Sequence, residues 1–128
     1  MHKMKKRIYY HDTDCEKVMY YGNYLKQFEE GRYEYMLACG IDLAQVSKQD
    51  TLFTIRRVEI DYKASASCGD YVTICSEIIE CHRASLIFKQ EMFKDDMLLA
   101  SAKIDVVCVD KSFKPKAIPA TIKDSLSK

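Results

Sequence analysis

Polar and apolar residues alternate over residues 5–11 (KKRIYYH), the period of a strand with one buried face. An acidic polar loop follows, Asp12-Thr13-Asp14-Cys15-Glu16-Lys17, and then a short apolar run, Val18-Met19-Tyr20-Tyr21. Beyond Gly22 the period becomes helical. Tyr24, Phe28, Gly31 and Tyr35 share one stripe, flanked by Leu25, Arg32 and Met36, while Lys26, Glu29, Glu30 and Glu34 lie mostly on the other side. With Asn23 as N-cap and Gly40 as stop, the pattern predicts a helix over 23–38. Gly31 is out of place by propensity, since a mid-helix glycine costs about 1 kcal/mol against alanine. Its position on the stripe predicts that a sheet approaches the helix backbone there.

Residues 41–52 read as irregular. The period-two pattern then returns over 53–62, 70–82, 84–93 and 97–109, with turns at Arg83-Ala84 and Asp95-Asp96 and a small-residue loop over 64–69. Short connections between the last three strands predict an antiparallel meander. The tail, 111–128, holds both prolines and is expected to pack loosely. The order is one strand, one long helix and four strands. Without strand–helix–strand alternation, a doubly wound parallel sheet is excluded. One helix must bury its stripe on one antiparallel sheet, which defines a two-layer α+β fold. Such a sheet keeps an open edge and an apolar face, and both invite self-association.

At 128 residues the sequence has the length of one domain, 1–128. Twenty Lys and Arg against 19 Asp and Glu leave a net charge of +1, without the basic excess of a nucleic-acid binder. No apolar run approaches the roughly 18 residues of a membrane span. The basic start, Met1–Arg7, has no apolar segment behind it to make a secretion signal. Six cysteines, at 15, 39, 68, 75, 81 and 108, contain no CxxC spacing. They read as small buried hydrophobes in a reducing cytoplasm, which is the expected location.

Much familiar chemistry is absent. The sequence has no P-loop, no dinucleotide glycine motif, no HExxH and no GxSxG elbow. No metal or cofactor is expected. Cys75 and Cys81 are even-spaced on one strand, His82 points to its other face, and core cysteines are favoured over zinc ligands. The feature with catalytic promise is Asp12-Thr13-Asp14 ahead of a helix start. One reading is capping or a solvated loop. The other joins a carboxylate, as nucleophile or base, to helix N–H groups that polarise a carbonyl, which together serve acyl transfer.

The segments YHDTD (10–14), VMYYGNYL (18–25) and EEGRYE (29–34) resemble the 4-hydroxybenzoyl-CoA thioesterase-like hotdog family, particularly its YbgC-type acyl-CoA thioesterases. The resemblance continues through DYKA (61–64), SLIF (85–88), VVCVD (106–110) and KPKAIP (114–119). It implies a hotdog fold, a five-stranded antiparallel sheet wrapped around one long helix, and hydrolysis of an acyl-CoA thioester. It assigns catalysis to Asp14 and polarisation of the thioester carbonyl to the backbone N–H of Tyr21. Two departures stand out. Glu16-Lys17 replaces the usual glycine turn, and Tyr21 replaces the more frequent histidine. CoA phosphates imply a basic patch, for which Arg83 and Lys116 are candidates, with Ser85 as a further substrate contact. The family also implies a homodimer at minimum and favours a homotetramer, with each site walled by two protomers.

An acyl-carrier-protein thioester is a possible substrate as well, because the pantetheine arm is shared. A non-catalytic acyl-CoA-binding or interaction module is the competing function, left open by Glu16-Lys17. A dehydratase ranks third, because neither His11 nor His82 occupies the helix entry.

Overall fold

The computed structural model describes residues 1–14, 18–19 and 21–127. Strand β1 (His2–Arg7) leads through a 3-10 turn (Tyr10–Asp12) to the long helix α1 (Tyr21–Ala38). A short helix α2 (Leu43–Val46) and a second 3-10 turn (Ser47–Gln49) come next. The strands β2 (Leu52–Tyr62), β3 (Tyr71–Cys81), β4 (Ser85–Lys94) and β5 (Met97–Val109) then precede a last helix, α3 (Ala120–Leu126). The five strands form one antiparallel sheet in the order β1-β3-β4-β5-β2, wrapped around α1 as a hotdog fold.

The meander β3-β4-β5 is as the alternation predicts, while β1 and β2 become the two edges. Their places at opposite ends of the sheet are a matter of tertiary pairing that no local pattern encodes. Strand β1 is also displaced from its expected range. It pairs with β3 from His2 onward and stops at Arg7, and Ile8 turns into the core beside the 3-10 turn.

Helix α1 packs over β1 and β3 and buries Tyr24, Gln27, Phe28, Gly31, Arg32 and Met36. A Cβ on Gly31 would lie 2.8 Å from Ile74 Cγ2 and 3.1 Å from both Ser76 Oγ and Gln90 Nε2. The glycine is therefore what lets helix and sheet meet this closely. Two polar residues share the buried stripe. Gln90 on β4 donates Nε2 to Phe28 O (2.8 Å) and Ser76 Oγ (2.9 Å), and its Oε1 accepts from Arg32 Nη1 at 3.0 Å. The helix ends where glycine permits a left-handed residue. Gly40 has φ +84°, and Ile41 N–H returns to Met36 O at 2.8 Å.

Three expectations need correction. Asn23 is not the N-cap, because α1 begins at Tyr21 and Asn23 sits in its first turn. The tail is not loose. Lys116 N–H donates to Cys108 O (2.9 Å) and Ile118 N–H to Arg83 O (2.8 Å), and α3 buries Ile122 in the core. Finally, a bulge between Ile78 and Glu80 reverses the facing of β3. Cys75, which is buried, pairs with Glu91, while Cys81, which is exposed, pairs with Leu86 on the opposite face. Their even spacing no longer puts them on one face. The five described cysteines, 39, 68, 75, 81 and 108, are free thiols, and Cys15 lies outside the described residues.

Candidate active site

The acidic segment DTD divides its two carboxylates between opposite environments. Asp12 is 1% exposed. Its Oδ2 accepts from Tyr9 N–H at 2.9 Å and its Oδ1 from Gln27 Nε2 at 3.3 Å, with His11 Nδ1 3.5 Å away. Asp12 therefore closes the 3-10 turn and ties it to the second turn of α1. Asn23 adds a second tie, its Nδ2 donating to Asp12 O at 2.7 Å. Asp14 is exposed, and its main-chain N–H donates to Val18 O at 3.0 Å.

Around Asp14 the chain doubles back. Thr13 pairs with Met19, Val18 pairs with Ser67, and Met19 N–H donates to Ala66 O at 2.8 Å. The Asp14 segment is thus strapped on one side to the loop after β2 and on the other to the start of α1. Glu16 and Lys17, which replace the family glycines, lie outside the described residues, as does Tyr20.

Tyr21 is the first residue of this 18-residue helix, so its N–H belongs to the turn where the positive end of the helix dipole concentrates. Its ring is 66% exposed and lies 5.2 Å from the ring of Tyr62, which in turn meets buried Tyr24 edge-on at 5.1 Å. Tyr62 Oη donates to Tyr21 O at 3.4 Å. Burial pushes the Tyr24 and Tyr62 hydroxyls above their usual range, so both remain protonated donors near neutrality.

The other three candidates gather elsewhere. Arg83 is exposed at the β3–β4 turn. Ser85 is buried on the face away from α1, opposite Val107. Lys116 donates Nζ to Asp50 O (3.1 Å) and Thr51 Oγ1 (3.0 Å), closing the loop where Asp50 adopts φ +59°. Along β5, Ser85 pairs with Val107 and Tyr62 with Ala100. At about 3.3 Å per residue, that separates Ser85 from the Tyr21 end by roughly 23 Å within one protomer.

Sequence reasoning did not single out Asn23, Gln27 or Tyr62 for the site. The available signal for Gln27 was a polar residue four positions from Asn23 and three from Tyr24, on the buried face of the helix. The second missed feature is a groove of about 360 Å³ between α1 and the inner face of β2, β4 and β5. Arg32, Met36, Phe53, Ile55 and Phe88 line it, and Glu29 stands beside Arg32.

A carboxylate segment clamped against a helix N-terminus, on a sheet wrapped around that helix, defines a hotdog thioesterase. The model of the thioesterase-like superfamily matches residues 9–126, and the chain belongs to that family. Within it, the chain is of the YbgC type. It is 32% identical over 119 residues to the acyl-CoA thioesterase YbgC of Haemophilus influenzae, covering 91% of this chain and 88% of that one. It is likewise 32% identical over 118 residues to the acyl-CoA thioester hydrolase YbgC of Escherichia coli, with the same coverage of both chains. The structure of 4-hydroxybenzoyl-CoA thioesterase from a Pseudomonas species shares the fold, with a TM-score of 0.87, 21% identity and 96% of each chain covered.

Proposed function

We propose that residues 1–128 form one catalytic domain that hydrolyses acyl-CoA thioesters at the N-terminus of α1. The observation that carries this reading is the double strapping of the Asp14 segment, by Asn23 and Gln27 on α1 and by Ala66 after β2. The first-turn N–H groups, with Tyr21 at their head, stabilise negative charge as it develops on the thioester oxygen. Asp14 attacks the carbonyl carbon or takes a proton from the water that does. The C–S bond breaks and its electron pair leaves on the CoA thiolate; where Asp14 is the nucleophile this leaves an acyl–aspartyl anhydride that water then hydrolyses, and in both routes water supplies one oxygen and the thiol proton. Asp12 cannot share this role, because both of its oxygens are engaged in closing the turn.

The open edge β2 favours assembly into at least a homodimer, and a tetramer is the state we propose for the working enzyme in the cytoplasm. Arg83, Ser85 and Lys116 then contribute to CoA binding only at a site completed by a partner protomer, given their distance from Tyr21 in the same chain.

Asp14→Asn, assayed by thiol release on CoA esters from acetyl to palmitoyl and on aromatic acyls, should lose at least about 10²-fold in turnover. Near-normal turnover by the variant would remove Asp14 from the mechanism. In ¹⁸O water, label that enters the Asp14 carboxylate would mark the nucleophilic role, since a general base never bonds to the water oxygen. Activity should fall on dilution through the dimer's dissociation, as followed by light scattering.

A further inference from the structure

Two charged side chains are buried among the described residues, Asp12 and Arg32. Asp12 has donors at both oxygens. Arg32 is served differently. It is 7% exposed and presents five N–H donors, of which the hydrogen bond from Nη1 to Gln90 Oε1 satisfies one. Among the described residues no carboxylate lies within 4.0 Å of its guanidinium. Glu29, one turn earlier on α1, is exposed and acts on Arg32 only through its field, against the burial that lowers the guanidinium's pKa. A buried cation with a neutral partner carries an uncompensated desolvation cost.

That cation faces a space of useful size. The groove of about 360 Å³ falls in the range of small-molecule sites and is walled by Met36, Phe53, Ile55, Phe88 and Val106. Its apolar wall thus accepts methylene groups, and Arg32 is the cation among its polar lining residues, which also include Glu29, Tyr33 and Thr54. Arg32 stands 11 residues beyond Tyr21, roughly 16 Å along the helix axis at 1.5 Å per residue, and its side chain leans back toward the N-terminus. An acetyl group is too short to reach it from the helix entry.

We propose that this groove holds the distal part of the acyl group and that Arg32 selects substrates whose acyl chain ends in a carboxylate. The inference rests on the thioesterase reading above and adds the substrate class. A terminal carboxylate would supply the counter-charge that Arg32 lacks, in a charge-assisted contact, while the methylene segment lies on the apolar wall. Glu29 at the groove opposes it and sets a limit on affinity.

The test compares octanoyl-CoA with 7-carboxyheptanoyl-CoA, esters of equal length that differ at the far end. The wild type should favour the carboxylated ester in kcat/KM. Arg32→Met should lower that ratio by about 10- to 100-fold, the range for a hydrogen bond to a charged group. Arg32→Lys should keep part of the preference, and Glu29→Gln should raise it. A wild type that prefers octanoyl-CoA, or an Arg32→Met variant that affects both esters equally, overturns the proposal. So does a loss of assembly in Arg32→Met with the ratio unchanged, which would make a second copy of the chain the groove's occupant. If the wild type cleaves no CoA ester, the thioesterase reading fails. Calorimetric binding of the two esters to wild type and Glu29→Gln then decides the groove separately, and equal affinities would overturn it.

Discussion

Helix α1 meets the two halves of its sheet in different ways. Over β3 it is in close contact, with Gly31 against Ile74 and Ser76 and with Gln90 bonded to the helix backbone at Phe28 O. Beside β2 it leaves a groove, bordered by Arg32, Met36 and Phe53. Gly31 and Arg32 are neighbours in sequence, about 100° apart around the helix axis. One turn of one helix therefore serves both purposes. The close side holds the fold together and the open side leaves room for a ligand. Substitutions on the close side should act on stability, and those at the open side and helix entry on activity.

The sharpest separation should come from the two aspartates. Asp14→Asn is expected to remove at least about 10²-fold of turnover, equivalent to about 2.7 kcal/mol in the barrier, with an unchanged melting temperature. Asp12→Asn should show the reverse weighting. It places an amide against Tyr9 N–H and Gln27 Nε2, and the clash of donors should lower stability by about 1–3 kcal/mol in urea unfolding. Equal damage to turnover and melting in both variants would merge the two roles and break the division.

On the close side, Gly31→Leu should destabilise by roughly 1–3 kcal/mol despite better helix propensity, because the Cβ position alone is already 2.8 Å from Ile74 Cγ2. A raised melting temperature would show that the helix can lift from β3. Gln90→Leu should cost about 1–2 kcal/mol, since it strands Ser76 and removes the acceptor for Arg32. At the helix entry, Tyr62→Phe should change stability by less than about 1 kcal/mol, because its hydroxyl makes one long bond at an exposed site.

A weaker effect appears with pH. Burial raises the folded-state pKa of Cys75 and Cys108 above that of the unfolded chain. Their contribution is therefore complete below the unfolded thiol value and is lost as pH rises through the folded one. Urea midpoints should decline above about pH 8.5, the free thiol's value, and Cys108→Ala should flatten the decline.

Periodicity alone made the meander legible, because β3, β4 and β5 are joined by turns short enough to dictate their pairing. Local pattern also located α1, its glycine stop at Gly40, and the tight contact at Gly31, since each of these depends on residues within a few positions of one another. The family resemblance pointed to Asp14 and Tyr21 by motif. Tertiary structure decided what depends on distant partners. Asp12 became structural because Asn23 and Gln27, 11 and 15 residues further along the chain, reach back to it, and Asp14 stayed exposed. The bulge near Ile79 reversed Cys81, the core claimed the tail through Ile118 and Ile122, and the edge place of β2 opened the groove before Arg32. A one-residue shift on a strand, or 100° on a helix, exchanges core for solvent, and only the packed chain determines which side a partner occupies.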